Sequence, residues 1–236
     1  MILVTGNGAL AKELIEYSSK KMPIISLSKR EMNITNEEQV SDVIKKYMML
    51  PDFPQYIIHT AALTKPMSVN DRNPITSINA NIIGTANVAK VCHKYGIKFI
   101  YISTDFVYDS NINDNVTESS PLKPINNYGW SKLGGECITQ LIPESLILRC
   151  SLCDIPFRHN LAFDNIYRTS IRHKDAAKLI LKVKDQKGII NIGGPEQTVY
   201  NFVKEYQDIT PITYKGNSSQ VTSIKLNTDK LKNINE

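Results

Sequence analysis

Short, nearly unbroken apolar runs alternate along the chain with longer segments whose apolar residues recur every three or four positions. The runs are "ILVT", "PIISLS", "YIIHTAAL", "IKFIYIST", "SLILRC" and "GIINI". Runs of this length, rich in β-branched residues, predict strands buried on both faces, and the 3.6-residue period predicts the helices that cover them. "GNGALAKELIEYSSKK" reads as a glycine turn and an amphipathic helix, and "NEEQVSDVIKKYMM" as a helix capped by Asn36. "PITSINANIIGTANVAKVCHKYG" predicts one long helix ending at Gly96. "YISTDFV" leads through a polar loop into the helix "NNYGWSKLGGE", and "SLILRC" counts as the sixth strand candidate. After "GIINIGGPEQTVYNFVKEY", read as strand, glycine turn and helix, "SIKLNTDKLK" ends the fold. Strands alternating with helices specify the α/β class, a Rossmann-type doubly wound parallel sheet.

Composition narrows this little. A chain of 236 residues accommodates one sizeable core, or one core with a small appendage. Hydrophobic residues at 42% and charged residues at 22% are those of a globular protein. The net charge of +5 comes from scattered lysines, which fits anionic small molecules and offers no basic stripe for nucleic acid. Cys92, Cys137, Cys150 and Cys153 show no zinc-type spacing, so no metal is expected and reduced thiols in a cytoplasmic protein are. No run reaches the roughly 18 apolar residues of a membrane span, and no signal-peptide pattern opens the chain. Internal repeats are not visible.

Chemistry enters at four places. Gly6, Gly8 and Ala11 match the G-x-G-x-x-G/A spacing of dinucleotide folds, between a strand and a helix whose free N–H groups suit a pyrophosphate. Gly6, Gly8, Ala9 and Leu10 are the expected cofactor contacts, a plain strand-helix turn being the alternative. The second strand "PIISLS" ends in Ser26 and Ser28 with Lys29 and Arg30 just beyond, where a carboxylate would mark a free ribose 2′-hydroxyl. Its absence favours NADP(H), with Arg30 able to fork a 2′-phosphate; loop solvation is the competing account. Thr60, Ala61 and Ala62 would let a flat cofactor pass the backbone, while His59 reads as a packed strand residue. Tyr128 and Lys132 lie four residues apart, on one helix face. An ammonium beside a phenol favours the phenolate, and Ser103 and Thr104 could reach the same substrate oxygen. An ordinary surface Tyr and Lys would show the same spacing.

Taken together, "VTGNGALAKEL", "HTAALT", "NANIIGTANVA", "YISTDFVYD", "PLKPINNYGWSKLGGE", "INIGGPE" and "KLNTDKL" resemble the extended short-chain dehydrogenase/reductases. Within them the chain looks most like the dTDP-4-dehydrorhamnose reductase group. The resemblance implies that Thr104, with Ser103, hydrogen-bonds the reacting carbonyl and that Tyr128 donates the proton. It implies that Lys132 lowers the Tyr128 pKa and holds the nicotinamide ribose, and that Asn81 steadies Lys132 and a relay water. Asn33 stands where relatives often carry an aspartate near the adenine. The glycine turn is one residue shorter than the family's, with alanine at the last place.

The family also implies residues 1–150 as the NAD(P)-binding domain, and residues 151–236 as a reduced substrate lobe interleaved with the last strands and helices. Thr104, Asp105, Arg158, His159, Asn160 and Arg168 are the expected substrate contacts, with Arg172 adding charge suited to a diphosphate. The implied activity is NADPH-dependent reduction of a nucleotide-linked 4-keto-6-deoxysugar. A variant adds epimerisation through Cys153, His159 or His59. The alternative is a non-catalytic NADP-binding subunit like the methionine adenosyltransferase regulatory subunit. The implied partner is the nucleotide sugar, with a homodimer left open and neither nucleic acid nor membrane involved.

Overall fold

A computed structural model describes residues 1–64, 71–112, 115–215 and 223–235. Six strands form one parallel sheet: β1 (Ile2–Thr5), β2 (Ile24–Leu27), β3 (Tyr56–His59), β4 (Lys98–Thr104), β5 (Leu146–Cys150) and β6 (Gly188–Ile192). Their order is β2-β1-β3-β4-β5-β6, the doubly wound arrangement that the alternating pattern predicts. "SLILRC" is the fifth sheet strand in chain order rather than the sixth. The run "YISTDFV" supplies only the end of β4, because the chain leaves the sheet at Asp105 in the 3-10 turn Asp105–Val107.

Helix α1 (Ala9–Ile15) covers one face of the sheet. Helix α2 (Glu37–Met48) starts where Asn36 Oδ1 accepts the Gln39 N–H at 2.9 Å, and covers the other. Helix α3 runs from Pro74 to Tyr95 and stops at Gly96, whose φ of +66° closes it. Its segment Ile78–Ile83 is π-helical, a widening the residue pattern does not reveal and one often found at functional sites. Helix α4 (Asn127–Gln140) packs beside α3. Helix α5 (His173–Val183) lies against α1, and α6 (Val199–Lys204) and α7 (Asp229–Asn235) follow it in the chain.

Two apolar layers follow from this winding. Leu10, Leu14, Ile180 and Val183 meet Val4, Ile100 and Leu148 on one side, while Val40, Ile44, Val88 and Phe99 meet Leu3 and Ile57 on the other. Leu14 is fully buried, which stabilises by about 1.5–3 kcal/mol. Beyond β5, short pairs replace the sheet: Leu152–Cys153 with Ile171–Arg172, Tyr167–Arg168 with Gln197–Thr198, and Leu161–Phe163 with Thr210–Ile212.

Candidate active site

The winding reverses between β1 and β3, and a crevice opens there beyond the carboxyl ends of the strands. Gly6 follows β1 with φ +83°, and a Cβ on it would stand 3.0 Å from the Ala61 Cα after β3. Only glycine allows that approach. A Cβ built on Gly8 meets nothing within 4 Å, so this backbone faces open space. Thr5 clamps the loop beside it: its carbonyl accepts from Thr60 Oγ1 at 2.6 Å, and its Oγ1 accepts from the Ala61 N–H at 3.2 Å. The resulting cleft, about 560 Å³, is bounded by Gly6, Gly8, Ala9 and Leu10, by Lys29 and Asn33, and by Thr60, Ala61 and Ala62. Ala11 also borders the cleft, fully buried against the sheet where a third glycine would sit.

Of the three residues after β2, Lys29 alone borders the cleft. The chain turns tightly there, with the N–H groups of Glu31 and Met32 donating to the Ser28 carbonyl at 3.0 and 2.8 Å. The Glu31 carboxylate folds back to accept the Ser28 N–H at 2.8 Å, while Arg30 is left exposed outside the lining. Lys29, not Arg30, is the cation of this turn that reaches the cleft.

The far end of the cleft holds Thr104, Tyr128 and Lys132. Asn126 caps α4 by accepting the Gly129 N–H at 2.8 Å, which fixes where Tyr128 projects. Tyr128 and Thr104 both border this end of the cleft. Burial raises the Tyr128 phenol above its ordinary value, the Thr104 hydroxyl opposes this, and Asp105 adds to the rise. In the polypeptide itself burial is therefore the largest influence on this phenol, and it favours the protonated form. Lys132 is buried with its Nζ 4.1 Å from the Tyr101 ring centroid. Burial lowers its ammonium to about 7, with Glu136 opposing.

Three expected roles shift. Ser103 borders the cleft as Thr104 does, but its Oγ donates its proton to Glu136 Oε1 at 2.5 Å. Asn81 spends its amide elsewhere than on Lys132: Oδ1 accepts the Leu63 N–H at 2.7 Å, and Nδ2 donates to the Leu63 carbonyl at 3.1 Å and to Ser131 Oγ at 2.8 Å. It ties the loop after β3 to the helix of Tyr128 and Lys132. The substrate cations also scatter. Arg158 is exposed and pairs with Asp154 at 3.1 Å, and His159 and Asn160 border a separate depression beside Gln207. Arg172 pairs with Asp175 at 2.6 Å. Arg168 alone approaches the catalytic end, ion-paired to Asp105.

His59 is a connector. Thr85 Oγ1 donates to the Asn81 carbonyl at 2.7 Å, so His59 Nε2 must donate to Thr85 Oγ1 at 3.1 Å, and Nδ1 accepts from Thr5 Oγ1 at 2.7 Å. Burial, then the Lys132 charge, lowers this imidazole to about 3. Sequence reasoning missed the buried pair beneath the site. Arg149 Nη2 donates to Glu136 Oε2 at 2.8 Å, and its Nη1 donates to Tyr108 Oη and to the Glu118 carbonyl, each at 3.0 Å. An arginine inside the apolar run "SLILRC" was the available signal, since a buried charge demands a partner. Asp154 and His173, 3.8 Å apart, also border the cleft and were not among the expected contacts.

A glycine turn at the switch point of a parallel sheet, with a threonine and a Tyr-x-x-x-Lys helix across the crevice, defines an extended short-chain dehydrogenase/reductase. More narrowly, the family described as RmlD substrate binding domain matches residues 1–188, and the chain belongs to it. It is 27% identical over 200 residues to a dTDP-4-dehydrorhamnose reductase of Aggregatibacter actinomycetemcomitans, covering 82% of this chain and 62% of that relative. It is also 33% identical over 105 residues to methionine adenosyltransferase 2 subunit beta of Xenopus laevis, covering 44% and 29%. The chain thus spans less than two thirds of the curated relatives it matches. In fold it resembles the dTDP-4-dehydrorhamnose reductase of Bacillus anthracis in complex with NADP, with TM-score 0.85 and 23% identity over 98% of this chain and 91% of that one.

Proposed function

We propose that the protein is an NADPH-dependent reductase of a nucleotide-linked 4-keto-6-deoxysugar. The observation that carries this is the gathering of Thr104, Tyr128 and Lys132 at one end of a cleft whose other end is the Gly6–Gly8 turn. The donor set fits the cofactor. The bare backbone at Gly8 suits a diphosphate, Lys29 a 2′-phosphate, and Lys132 the nicotinamide ribose hydroxyls. Bound NADPH supplies the hydride. The protein's part is to orient the keto group with Thr104, to hold a proton on the Tyr128 hydroxyl and release it to the carbonyl oxygen, and to exclude water with the Ala61–Ala62 wall. Lys132, charged near its pKa of about 7, would stabilise the tyrosinate left behind.

The short strand pairs beyond residue 150, interleaved with α5 and β6 of the nucleotide-binding domain, act as the reduced substrate lobe in this reading. Of the expected epimerisation groups, both His59 nitrogens are occupied and His159 borders the other depression, which leaves Cys153, half-buried with its Sγ 3.8 Å from the Asp154 carbonyl. A second reading, a regulatory NADP-binding subunit, is favoured by the match to methionine adenosyltransferase 2 subunit beta and by the dispersal of the lobe's cations. The deciding experiment incubates the protein with NADPH and a panel of dTDP-, UDP- and GDP-linked 4-keto-6-deoxysugars. Loss of NADPH absorbance with a product two mass units heavier supports the reductase. NADPH binding without turnover on any sugar favours the subunit.

A further inference from the structure

We propose that Arg168 is a positioning residue, bracing the Thr104–Tyr128 pair from the lobe rather than receiving an anion of the substrate; the proposal rests on the reductase reading. Arg168 sits in the two-residue strand Tyr167–Arg168, held antiparallel to Gln197–Thr198. From there its Nη2 donates to Asp105 Oδ2, while its guanidinium carbon lies 4.8 Å from the centroid of the Phe106 ring. Both neighbours lead to the reacting hydroxyls. Asp105 Oδ1 accepts from Thr104 Oγ1 at 3.2 Å. The Phe106 ring stands edge-on to Tyr128, centroids 6.2 Å apart at 72°.

The segment between them has little room to move. A Cβ on Gly129, next to Tyr128, would lie 2.6 Å from the Phe106 carbonyl oxygen, so the turn after β4 is pressed against the helix. Arg168 closes the opposite side of that turn. Its charge is committed: the Asp105 side chain is 2% exposed, and its Oδ2 takes one further bond, from Ser151 Oγ at 2.7 Å. A diphosphate claiming Arg168 would leave a buried carboxylate with hydroxyl donors alone, a strongly unfavourable exchange. A clamp on both sides of one turn places two hydroxyls at once, and misplacement by about 1 Å can cost on the order of 10²-fold in rate.

The test uses the full chain with Arg168→Ala and Arg168→Lys, read in two ways. In kinetics with NADPH and the accepted sugar, Arg168→Ala should lower kcat by about 10- to 100-fold and move the sugar KM by less than about threefold. Arg168→Lys, which keeps the ion pair but not the planar contact with Phe106, should fall between. In protein carrying 13Cζ-tyrosine, the resonance absent from Tyr128→Phe should shift in Arg168→Ala and shift less in Arg168→Lys. A raised KM at unchanged kcat would make Arg168 an anion receptor and overturn the proposal, as would an unmoved Tyr128 resonance in either variant. Should Arg168→Ala not fold, the lysine variant decides by the same two readouts. Should the parent turn over no sugar, the reductase reading fails, and the Tyr128 resonance alone decides whether Arg168 is a brace.

Discussion

Replacing Lys132 with methionine isolates the electrostatics of the catalytic helix. Lys132 is 3% exposed, and burial brings its ammonium from 10.5 to about 7. The groups facing it are Tyr101 on β4, Glu136 one turn along α4, Cys150 on β5 and His59 on β3. In the unfolded chain the ammonium returns to its ordinary value. Between about pH 7 and pH 10 the unfolded state therefore binds a proton that the folded state does not, and stability rises with pH by up to about 1.4 kcal/mol per unit. Below that window both states are protonated, and the folded protein carries the whole cost of a buried charge. Methionine removes the titration. The variant should be the more stable relative to parent at pH 6.5 and should lose about 3 kcal/mol of that advantage by pH 9.5. Urea unfolding of both proteins across this range measures the difference. Titrations of groups not coupled to Lys132 cancel in it, and the change in packing is the same at each pH; loss of the ammonium also raises the pKa values of His59 and Cys150. A difference that stays flat with pH would refute the argument, because Lys132 would then titrate alike in both states.

Three further outcomes follow from the same geometry. Arg149→Met strands the buried Glu136 carboxylate and should cost about 3–5 kcal/mol in urea unfolding, most of which Arg149→Met with Glu136→Leu should restore. Lys29→Ala should narrow the preference for NADPH over NADH in calorimetric titrations more than Arg30→Ala does, since Lys29 borders the cleft; the opposite ranking would return the 2′-phosphate to Arg30. Tyr128→Phe should bind NADPH as the parent does and lose about 10²–10⁴-fold in turnover.

The strands were legible because a sheet covered on both faces needs near-continuous apolar runs, and "ILVT" or "SLILRC" has few other readings. The glycine turn was legible for a similar reason, as only Gly6 tolerates both φ +83° and the approach of Ala61. What stayed hidden depends on contacts between distant segments. Ser103 and Thr104 look equivalent as neighbours and both border the cleft, yet one hydroxyl is spent on Glu136 and the other on Asp105. Arg158 and Arg168 look equivalent as lobe cations, yet one is exposed and the other is docked on Asp105. Composition registers charge, not the partner that neutralises it.

The π-helical segment in α3 carries a constraint on chain length. A π-turn holds one residue more than the α-turn it interrupts, and each α-helical residue advances the helix by about 100°. Ile78–Ile83 therefore sets the angular phase between Pro74–Ser77 and Gly84–Tyr95. Deleting Ala80 would let an unbroken α ladder form, but only by rotating the front of the helix against its back. The back is keyed to the sheet through Val88 and Ala89. The swing would then fall on the front half, and Asn81 could no longer reach Leu63 and Ser131 together. A single-residue deletion in this helix should thus be tolerated less well than almost any substitution along it.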